Sequence, residues 1–263
     1  MLGRGGAYRL NGGEEASMGR RGIGIAVAGG ALLTIALTLT VLPGSSDTPP
    51  TRIAPSVEGH PVPPSGLEYG AAGTADLADA DWVARTAAES GIPERALSAY
   101  AGVEVAFLRD LPECRLDWAT LAGIGYVESR HGRLQGGRID EAGQQTPAIF
   151  GIPLDGERTA EVPDTDGGAL DGDAEWDRAV GPMQFIPSTW ERFGADGNLD
   201  GVEDPQNIDD AALAAARLLC WVGGDLGETE NWIAAIDSYN RSVEYNNEVA
   251  GAADRYRAAA AGP

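Results

Sequence analysis

The sequence contains no lysine and only two cysteines among its 263 residues. All strong positive charge therefore comes from arginine, and Lys and Arg together number 19 against 40 Asp and Glu, for a formal net charge of −21. Nucleic-acid binding needs a basic face that neutralises phosphates, so this balance argues against a nucleic-acid partner. Such an acidic surface keeps a protein soluble and leaves carboxylates available for Ca²⁺.

Charged residues are also missing from residues 22–42, a mainly apolar stretch that is long enough to cross a bilayer as one helix. It follows Arg20 and Arg21, and basic residues stay on the cytoplasmic side of a membrane. The pattern predicts a short cytoplasmic tail (residues 1–21) and a single-pass transmembrane signal anchor (residues 22–42), with the rest of the chain outside the cytoplasm. The alternative is a cleaved signal peptide, which would leave the protein secreted.

The two cysteines, Cys114 and Cys220, belong to no CxxC motif and no Cys/His cluster, so a zinc site is not expected. In the cytosol they would be two buried thiols, whereas in an oxidising compartment they would pair. Because either interpretation of the N-terminal segment exports the chain, a disulfide between Cys114 and Cys220 is predicted.

Residues 43–75 are rich in proline, glycine, serine and threonine. A segment of this composition cannot bury a core and tends to be extended. We predict a disordered linker that holds one globular domain, residues 76–263, away from the membrane.

Apolar periodicity and capping residues predict that this domain is mainly α-helical, with little sign of strands. Glycine and proline recur through residues 133–180 and exclude a long helix there. A loop of this length inside a compact domain is commonly functional, and we expect it to border a cleft. The predicted helices cover residues 80–90, 93–111, 117–132, 188–193, 209–221, 231–239 and 242–260.

The third predicted helix carries a carboxylate at the end of an apolar stripe. Asp117 is a good N-cap and Gly132 a good stop. Between them, Leu121, Ile124 and Glu128 are spaced to share one helix face. Burial raises the pKa of a carboxyl group, and a carboxyl group still protonated near neutral pH suits a general acid. The alternative is a surface residue beyond the end of the core face.

Residues 196–207 fit the first half of an EF-hand calcium loop. Gly201 at position 6 permits the sharp turn, whereas position 12 is an asparagine in place of the bidentate glutamate. The alternative is an acidic turn between two helices, since Asp-Gly and Asn are ordinary turn residues. The predicted oxygen ligands are Asp196, Asn198, Asp200, the carbonyl group of Val202, and Asn207.

Three short motifs follow one another in the chain: Glu128-Ser129-Arg130-His131-Gly132, Gly181-Pro182-Met183-Gln184-Phe185 and Ala235-Ile236-Asp237-Ser238-Tyr239-Asn240. In this order, with residues 196–207 between the second and the third, they resemble the lytic murein transglycosylases of lysozyme-like fold, and most closely those of the membrane-bound lytic transglycosylase B type. The resemblance covers residues 76–260. The family's last calcium ligand is usually acidic, and its Ala-Tyr-Asn is here Ser-Tyr-Asn.

The resemblance implies roles for five residues. Glu128 is the sole catalytic acid and base. Ser129 helps to orient it and is assigned, with Gln184, Tyr239 and Asn240, to substrate binding. Gln184 and Tyr239 line the sugar cleft, and Asn240 supports the site. The implied reaction cleaves the β-1,4 bond between N-acetylmuramic acid and N-acetylglucosamine of peptidoglycan and closes a 1,6-anhydro ring. It requires no cofactor, and a bound Ca²⁺ would be structural.

Two other functions are consistent with the sequence: a hydrolytic muramidase on the same scaffold, and a non-catalytic cell-wall-binding protein tethered at the membrane. Tyr126 and Tyr245 are either aromatic sugar platforms or core residues. His131 is expected to be structural, because no metal ligand or nucleophile lies in the motif around it. The expected partners are glycan strands of the cell wall and, through residues 22–42, the membrane; the sequence indicates no particular protein partner.

Overall fold

The computed structural model describes residues 50–67 and 70–262. The predicted cytoplasmic tail and signal anchor, and the linker up to residue 49, lie outside the described residues. Within the described ranges, none of the helices combines the length and apolar character needed to cross a bilayer.

Seven α-helices form nearly all of the regular secondary structure of the described residues, beside one strand pair of two residues a side, which confirms the predicted mainly α-helical fold. Three 3-10 turns connect them, at Thr74–Leu77, Pro112–Cys114 and Leu134–Gly136. The helices are α1 (Ala80–Ser90), α2 (Glu94–Asp110), α3 (Trp118–Ser129), α4 (Pro187–Phe193), α5 (Ile208–Gly223), α6 (Thr229–Tyr239) and α7 (Val243–Ala260).

Local capping explains most of the helix boundaries. The side chains of Asp79, Asp117 and Ser242 each accept a hydrogen bond from a backbone N–H in the first turn of α1, α3 and α7. Helix α4 is predicted to begin at residue 188 with Ser188 as its cap, and this is wrong: the helix begins at Pro187, whose missing N–H costs nothing in a first turn, and no side chain caps it.

The core is centred on α3, which packs most extensively against α7. Leu121 and Ile124 are fully buried. The two helices approach closely at Gly123, where a Cβ atom would lie only 2.8 Å from the carbonyl oxygen of Val249. Glycine at this position therefore sets how near α7 can lie to the helix that carries Glu128.

Residues 51–62 form an extended segment along the domain, which we call the strap. Asp254 on α7 accepts hydrogen bonds from the backbone N–H and the hydroxyl of Ser56, both at 2.8 Å, and from the N–H of Val57 at 2.9 Å. The side chain of Asn246 donates to the carbonyl of Ile53 at 2.6 Å. The composition predicts a disordered spacer here, but polar side chains of α7 satisfy the extended backbone and hold it in place.

The long segment between α3 and α4 contains one small antiparallel pair, β1 (Arg138–Ile139) with β2 (Gln145–Thr146). Residues 149–180 then form an irregular hairpin, which we call the arm. Backbone hydrogen bonds join its two sides: the N–H of Gly151 donates to the carbonyl of Ala179 at 2.7 Å, and the N–H of Leu154 donates to the carbonyl of Asp177 at 3.1 Å. The prediction that residues 133–180 hold no long helix is confirmed.

Cys114 and Cys220 form a disulfide across 106 positions of sequence, as predicted. The bond joins the 3-10 turn before α3 to the C-terminal part of α5. It thereby fixes the start of α3 against the far side of the core.

Candidate active site

Glu128 lies in the last turn of α3, at the end of the apolar stripe formed by Leu121 and Ile124. These two side chains are fully buried, whereas Glu128 is half-buried. Its Oε1 atom accepts a hydrogen bond of 2.5 Å from the hydroxyl group of Tyr245 on α7. The carboxyl group is therefore held by one partner and withdrawn from bulk water, and part of its surface stays open.

Burial raises the pKa of Glu128 from 4.5 to about 7, as the sequence predicts. The hydrogen bond from Tyr245 acts in the opposite direction, because a donor stabilises the charged carboxylate. At neutral pH the group is therefore divided between its acid and base forms, which suits a residue that both donates and accepts a proton.

Two tyrosines from different helices interact with this carboxyl group, one through a hydrogen bond and the other through its charge. The sequence does not decide whether Tyr245 is a sugar platform or a core residue. In the structure its side chain is buried and its hydroxyl group is bonded to Glu128. Tyr239, at the end of α6, is buried as well, and its phenol oxygen has no hydrogen-bond partner among the described residues. Burial and the charge of Glu128 raise the pKa of Tyr239, so its hydroxyl stays protonated beside the carboxyl group. The Tyr239 hydroxyl is therefore a buried donor near the acid whose hydrogen-bonding capacity is unused in this structure.

The loop 181–185 is fastened to the end of α3 through Ser129. The hydroxyl of Ser129 donates to the carbonyl of Pro182 at 2.6 Å and accepts from the N–H of Gly132 at 2.7 Å. Ser129 is fully buried, so it cannot line a surface open to sugars as the substrate-binding assignment requires. The structure instead makes it the link that positions the loop beside Glu128.

Gln184 and Asn240 hold turns on either side of the site. Gln184 has a left-handed backbone, with φ of 51°, and its side-chain amide donates to the carbonyl of Gly181 at 2.8 Å. Asn240 ends α6 and accepts the N–H of Ser242 at 2.9 Å, in the turn that leads into α7. Asn240 thus supports the connection between the helices that carry Tyr239 and Tyr245.

His131 is structural, as expected. One ring nitrogen lies 3.3 Å from the hydroxyl of Tyr100 and the other 2.9 Å from that of Tyr256. Burial, followed by the nearby charges of Arg133 and Arg130, lowers its pKa to about 3. The imidazole is therefore neutral and links Tyr100 on α2 to Tyr256 on α7 inside the core.

The predicted calcium loop is an ordered turn whose asparagine at position 12 faces elsewhere. Asn207 caps α5 by accepting the N–H of Asp209 at 3.0 Å, and its amide donates to the carbonyl of Ala142 at 3.1 Å. Its side chain is thereby removed from the predicted ligand set. The carboxylates of Asp196 and Asp200 accept backbone N–H groups of the loop itself. Calcium binding by Asp196, Asn198, Asp200 and the Val202 carbonyl remains a prediction.

Sequence reasoning missed the carboxylate that organises this loop. Asp210 is buried on the first turn of α5 and accepts the N–H of Gly197 at 2.7 Å and that of Asp204 at 2.9 Å. Burial raises its pKa to about 7. Its helical position alone looks like that of an ordinary first-turn acid, so no sequence signal marks it.

The arm contains a separate acidic cluster. Carboxylate oxygens of Asp164, Asp166 and Asp177 lie within 4.8 Å of one another, the one such cluster of three acidic or metal-binding side chains found in the described ranges. Each of the three carboxylates also accepts backbone N–H groups of the arm. The cluster therefore stabilises the turns of the arm.

Residues 162–258 match the family model described as the transglycosylase SLT domain. The match contains the loop 181–185, Tyr239 and Tyr245, and it begins after Glu128 in the sequence. It supports the lytic transglycosylase family, and the mainly helical fold agrees with a lysozyme-like domain of that kind. Comparison with curated proteins gave no match, and neither did comparison with solved structures.

Proposed function

We propose that this protein is a lytic transglycosylase that cleaves the β-1,4 bond between N-acetylmuramic acid and N-acetylglucosamine in peptidoglycan. The observation that carries the proposal is the half-buried carboxyl group of Glu128, whose pKa is raised to about 7 beside two tyrosine hydroxyls. The transglycosylase family match over residues 162–258 supports the class of reaction.

In the first step, protonated Glu128 donates its proton to the glycosidic oxygen. The bond from C1 of the muramic acid residue to that oxygen breaks, and the electron pair leaves with the oxygen of the departing sugar. The positive charge that develops at C1 is carried by an oxocarbenium-like ring or by the sugar's own N-acetyl group. A pKa near 7 leaves a useful fraction of Glu128 protonated at neutral pH.

In the second step, the ionised Glu128 takes the proton from the C6 hydroxyl of the same muramic acid residue. The C6 oxygen attacks C1, a 1,6-anhydro bond forms, and Glu128 regains its proton. Because the attacking group belongs to the substrate, the step gains the advantage of proximity and consumes no water. The tyrosine hydroxyl at 2.5 Å stabilises Glu128 in its ionised state between the two steps.

A single carboxyl group suffices for this sequence of steps, whereas most glycosidases use two. A hydrolytic route on the same scaffold would commonly use a second carboxylate to activate water or to act as nucleophile, so the end groups of the products distinguish the two routes.

We further propose that the protein is of the membrane-bound B type, anchored through residues 22–42 with its domain facing the cell wall. The resemblance of the three motifs supports the subtype. The Cys114–Cys220 disulfide supports export, because such bonds persist in oxidising compartments. We also propose a structural Ca²⁺ in the loop 196–207, tested by calorimetry with added Ca²⁺; no heat and no change in melting temperature would rule it out.

Mass spectrometry of peptidoglycan digests tests the proposed reaction. We expect 1,6-anhydromuramoyl ends from the wild-type protein and none from the Glu128→Gln variant. Reducing ends in the wild-type digest would identify a muramidase. If the wild-type protein binds cell walls but releases no fragments, it is a binding protein.

A further inference from the structure

Three short extended segments lie side by side next to the proposed active site. Phe150 at the base of the arm pairs with Val180, and Val180 pairs in turn with Phe185, both in antiparallel bridges. Two backbone hydrogen bonds flank the first bridge. The N–H of Gly151 donates to the carbonyl of Ala179 at 2.7 Å, and the N–H of Gly181 donates to the carbonyl of Ile149 at 2.9 Å. Phe150 and Val180 are therefore a non-hydrogen-bonded pair, the kind in which side chains come closest.

Directly paired residues in an antiparallel arrangement present their side chains on the same face. Phe150, Val180 and Phe185 thus form one apolar row. Val180 and Phe185 are buried, and the ring of Phe185 packs edge-on against that of Tyr239, with 5.8 Å between ring centroids. Phe150 lies at the outer end of the row with 48% of its surface exposed. The row leads from Tyr239, beside Glu128, to an open aromatic ring.

The ring of Phe150 differs from that of Trp221, the other strongly exposed aromatic side chain in the described part of the chain. The Trp221 ring is covered by the guanidinium of Arg192, 3.8 Å from its centroid, and packs against Phe193. No ring or guanidinium among the described residues contacts Phe150 in this way. Its apolar face is therefore available to a ligand.

We infer that Phe150 is a stacking platform for a sugar of the glycan strand, outside the sugars at the cleaved bond. This inference rests on the proposed function. Neighbouring strands lie about 4.8 Å apart, so the backbone of Phe150 is about 10 Å from that of Phe185 along the row. Val180 and Phe185 are buried, so a glycan strand that extends from Glu128 over this part of the surface meets the row only at its open end, where the apolar face of a more distant sugar lies on the Phe150 ring. The side chain of Phe150 offers no hydrogen bond. The contact therefore strengthens the binding of long strands without selecting one sugar over another.

Binding of soluble, uncrosslinked glycan strands tests the inference in the Glu128→Gln background, where cleavage does not consume the ligand. We expect Phe150→Ala to weaken binding of long strands by about three- to tenfold, the range given by one aromatic contact. Binding of the shortest fragment that spans the cleaved bond should stay the same. Phe150→Trp should restore long-strand binding, whereas Phe150→Leu, apolar but not aromatic, should not.

Trp221→Ala provides the matched control, because it removes an exposed aromatic ring from the end of α5 without touching the row. Unchanged binding of long strands by Phe150→Ala, or an equal loss with Trp221→Ala, would overturn the inference. A thermal melt of each variant identifies losses of binding that are caused by misfolding. If Phe150→Ala is misfolded, the binding of long strands by Phe150→Trp, which keeps an aromatic ring, decides whether the inference holds. If the Glu128→Gln protein binds strands in a Phe150-dependent way but the wild-type protein cleaves none, the proposed function fails and the platform stands.

Discussion

Glu104 and Glu128 are two glutamates whose pKa is raised to about 7, in both cases chiefly by burial. Glu104, on α2, is almost completely buried, and its two oxygens accept the N–H of Val62 at 2.9 Å and that of Trp118 at 2.7 Å. Glu128 is half-buried and accepts one hydroxyl. The first carboxyl group is enclosed by backbone amides, and the second retains access to a ligand.

The difference shows that a raised pKa does not by itself mark a catalytic acid. Glu104 joins the strap to the first residue of α3, where the helix N-terminus favours a negative charge. Glu128 sits at the opposite end of the same helix, beside tyrosine hydroxyls. Access to the carboxyl oxygen separates a structural group from one that can transfer a proton.

Glutamine substitution at the two positions should separate their roles most strongly in activity. We expect Glu128→Gln to lower the rate of glycan cleavage by about 10²–10⁴-fold, because an amide cannot donate and recover a proton. Glu104→Gln should cleave at the wild-type rate per folded molecule. Turbidity clearing of cell walls measures both. A large loss in the Glu104 variant with an unchanged melt would contradict this division.

The same two substitutions should have the reverse effect on stability. In Glu104→Gln the side-chain amide group faces a backbone N–H, so a donor meets a donor, and we expect the free energy of unfolding to fall by about 1–3 kcal/mol. Glu128→Gln should change it by less than about 0.5 kcal/mol. Urea denaturation compares the variants. Equal destabilisation of both would show that Glu128 is structural as well.

Removal of the Tyr245 hydroxyl should shift the pH dependence of cleavage. In the proposed mechanism cleavage needs protonated Glu128, so we expect the rate to fall as pH rises through the Glu128 pKa, about 7. The Tyr245 hydrogen bond lowers that pKa, so Tyr245→Phe raises it and moves the falling limb of the kcat/KM profile to higher pH. Tyr126→Phe serves as the control, since its half-buried ring lies under Arg130. A limb that stays in place would argue against the bond to Glu128.

The smallest effect is expected from a substitution that loosens the strap. Through the N–H of Val62 the strap bonds to Glu104, the structural carboxyl group, and not to Glu128. Asp254→Ala removes the acceptor for Ser56 and Val57 and should lower the free energy of unfolding by about 1 kcal/mol. For a domain of this size the melting temperature then falls by about 2–4 °C. Cleavage at 25 °C should not change. Loss of cleavage without loss of stability would place the strap within the catalytic machinery.

Much of the helical fold follows from local signals that the sequence displays. The caps Asp79, Asp117 and Ser242 act within one turn, so they could be identified without the rest of the chain. The strap could not, because its partners on α7 lie almost 200 positions away. The end of α3 was placed three residues late, because Arg130 and His131 adopt left-handed backbone conformations that residues other than glycine rarely take.

The site was predictable in part for the same reason. Helical spacing placed Glu128 at the end of a buried stripe, and burial then fixed the direction of its pKa. Periodicity cannot show which side chain a residue meets across the fold. The sequence therefore could not decide whether Tyr245 is a sugar platform or a core residue that contacts Glu128. For the same reason it assigns Ser129 to sugar binding, whereas the hydroxyl of Ser129 bonds to the carbonyl of Pro182.

The disulfide gives the site a dependence on redox conditions. The bond closes a segment of 106 positions that contains Glu128 and Gln184, while Tyr239 and Tyr245 lie beyond it. In the chain-entropy model, closing a loop of about 100 residues stabilises the folded state by about 4.7 kcal/mol. A chain that has not yet been oxidised lacks this contribution. Under reducing conditions the fold that brings Glu128 and the tyrosines together is therefore less stable by about this amount.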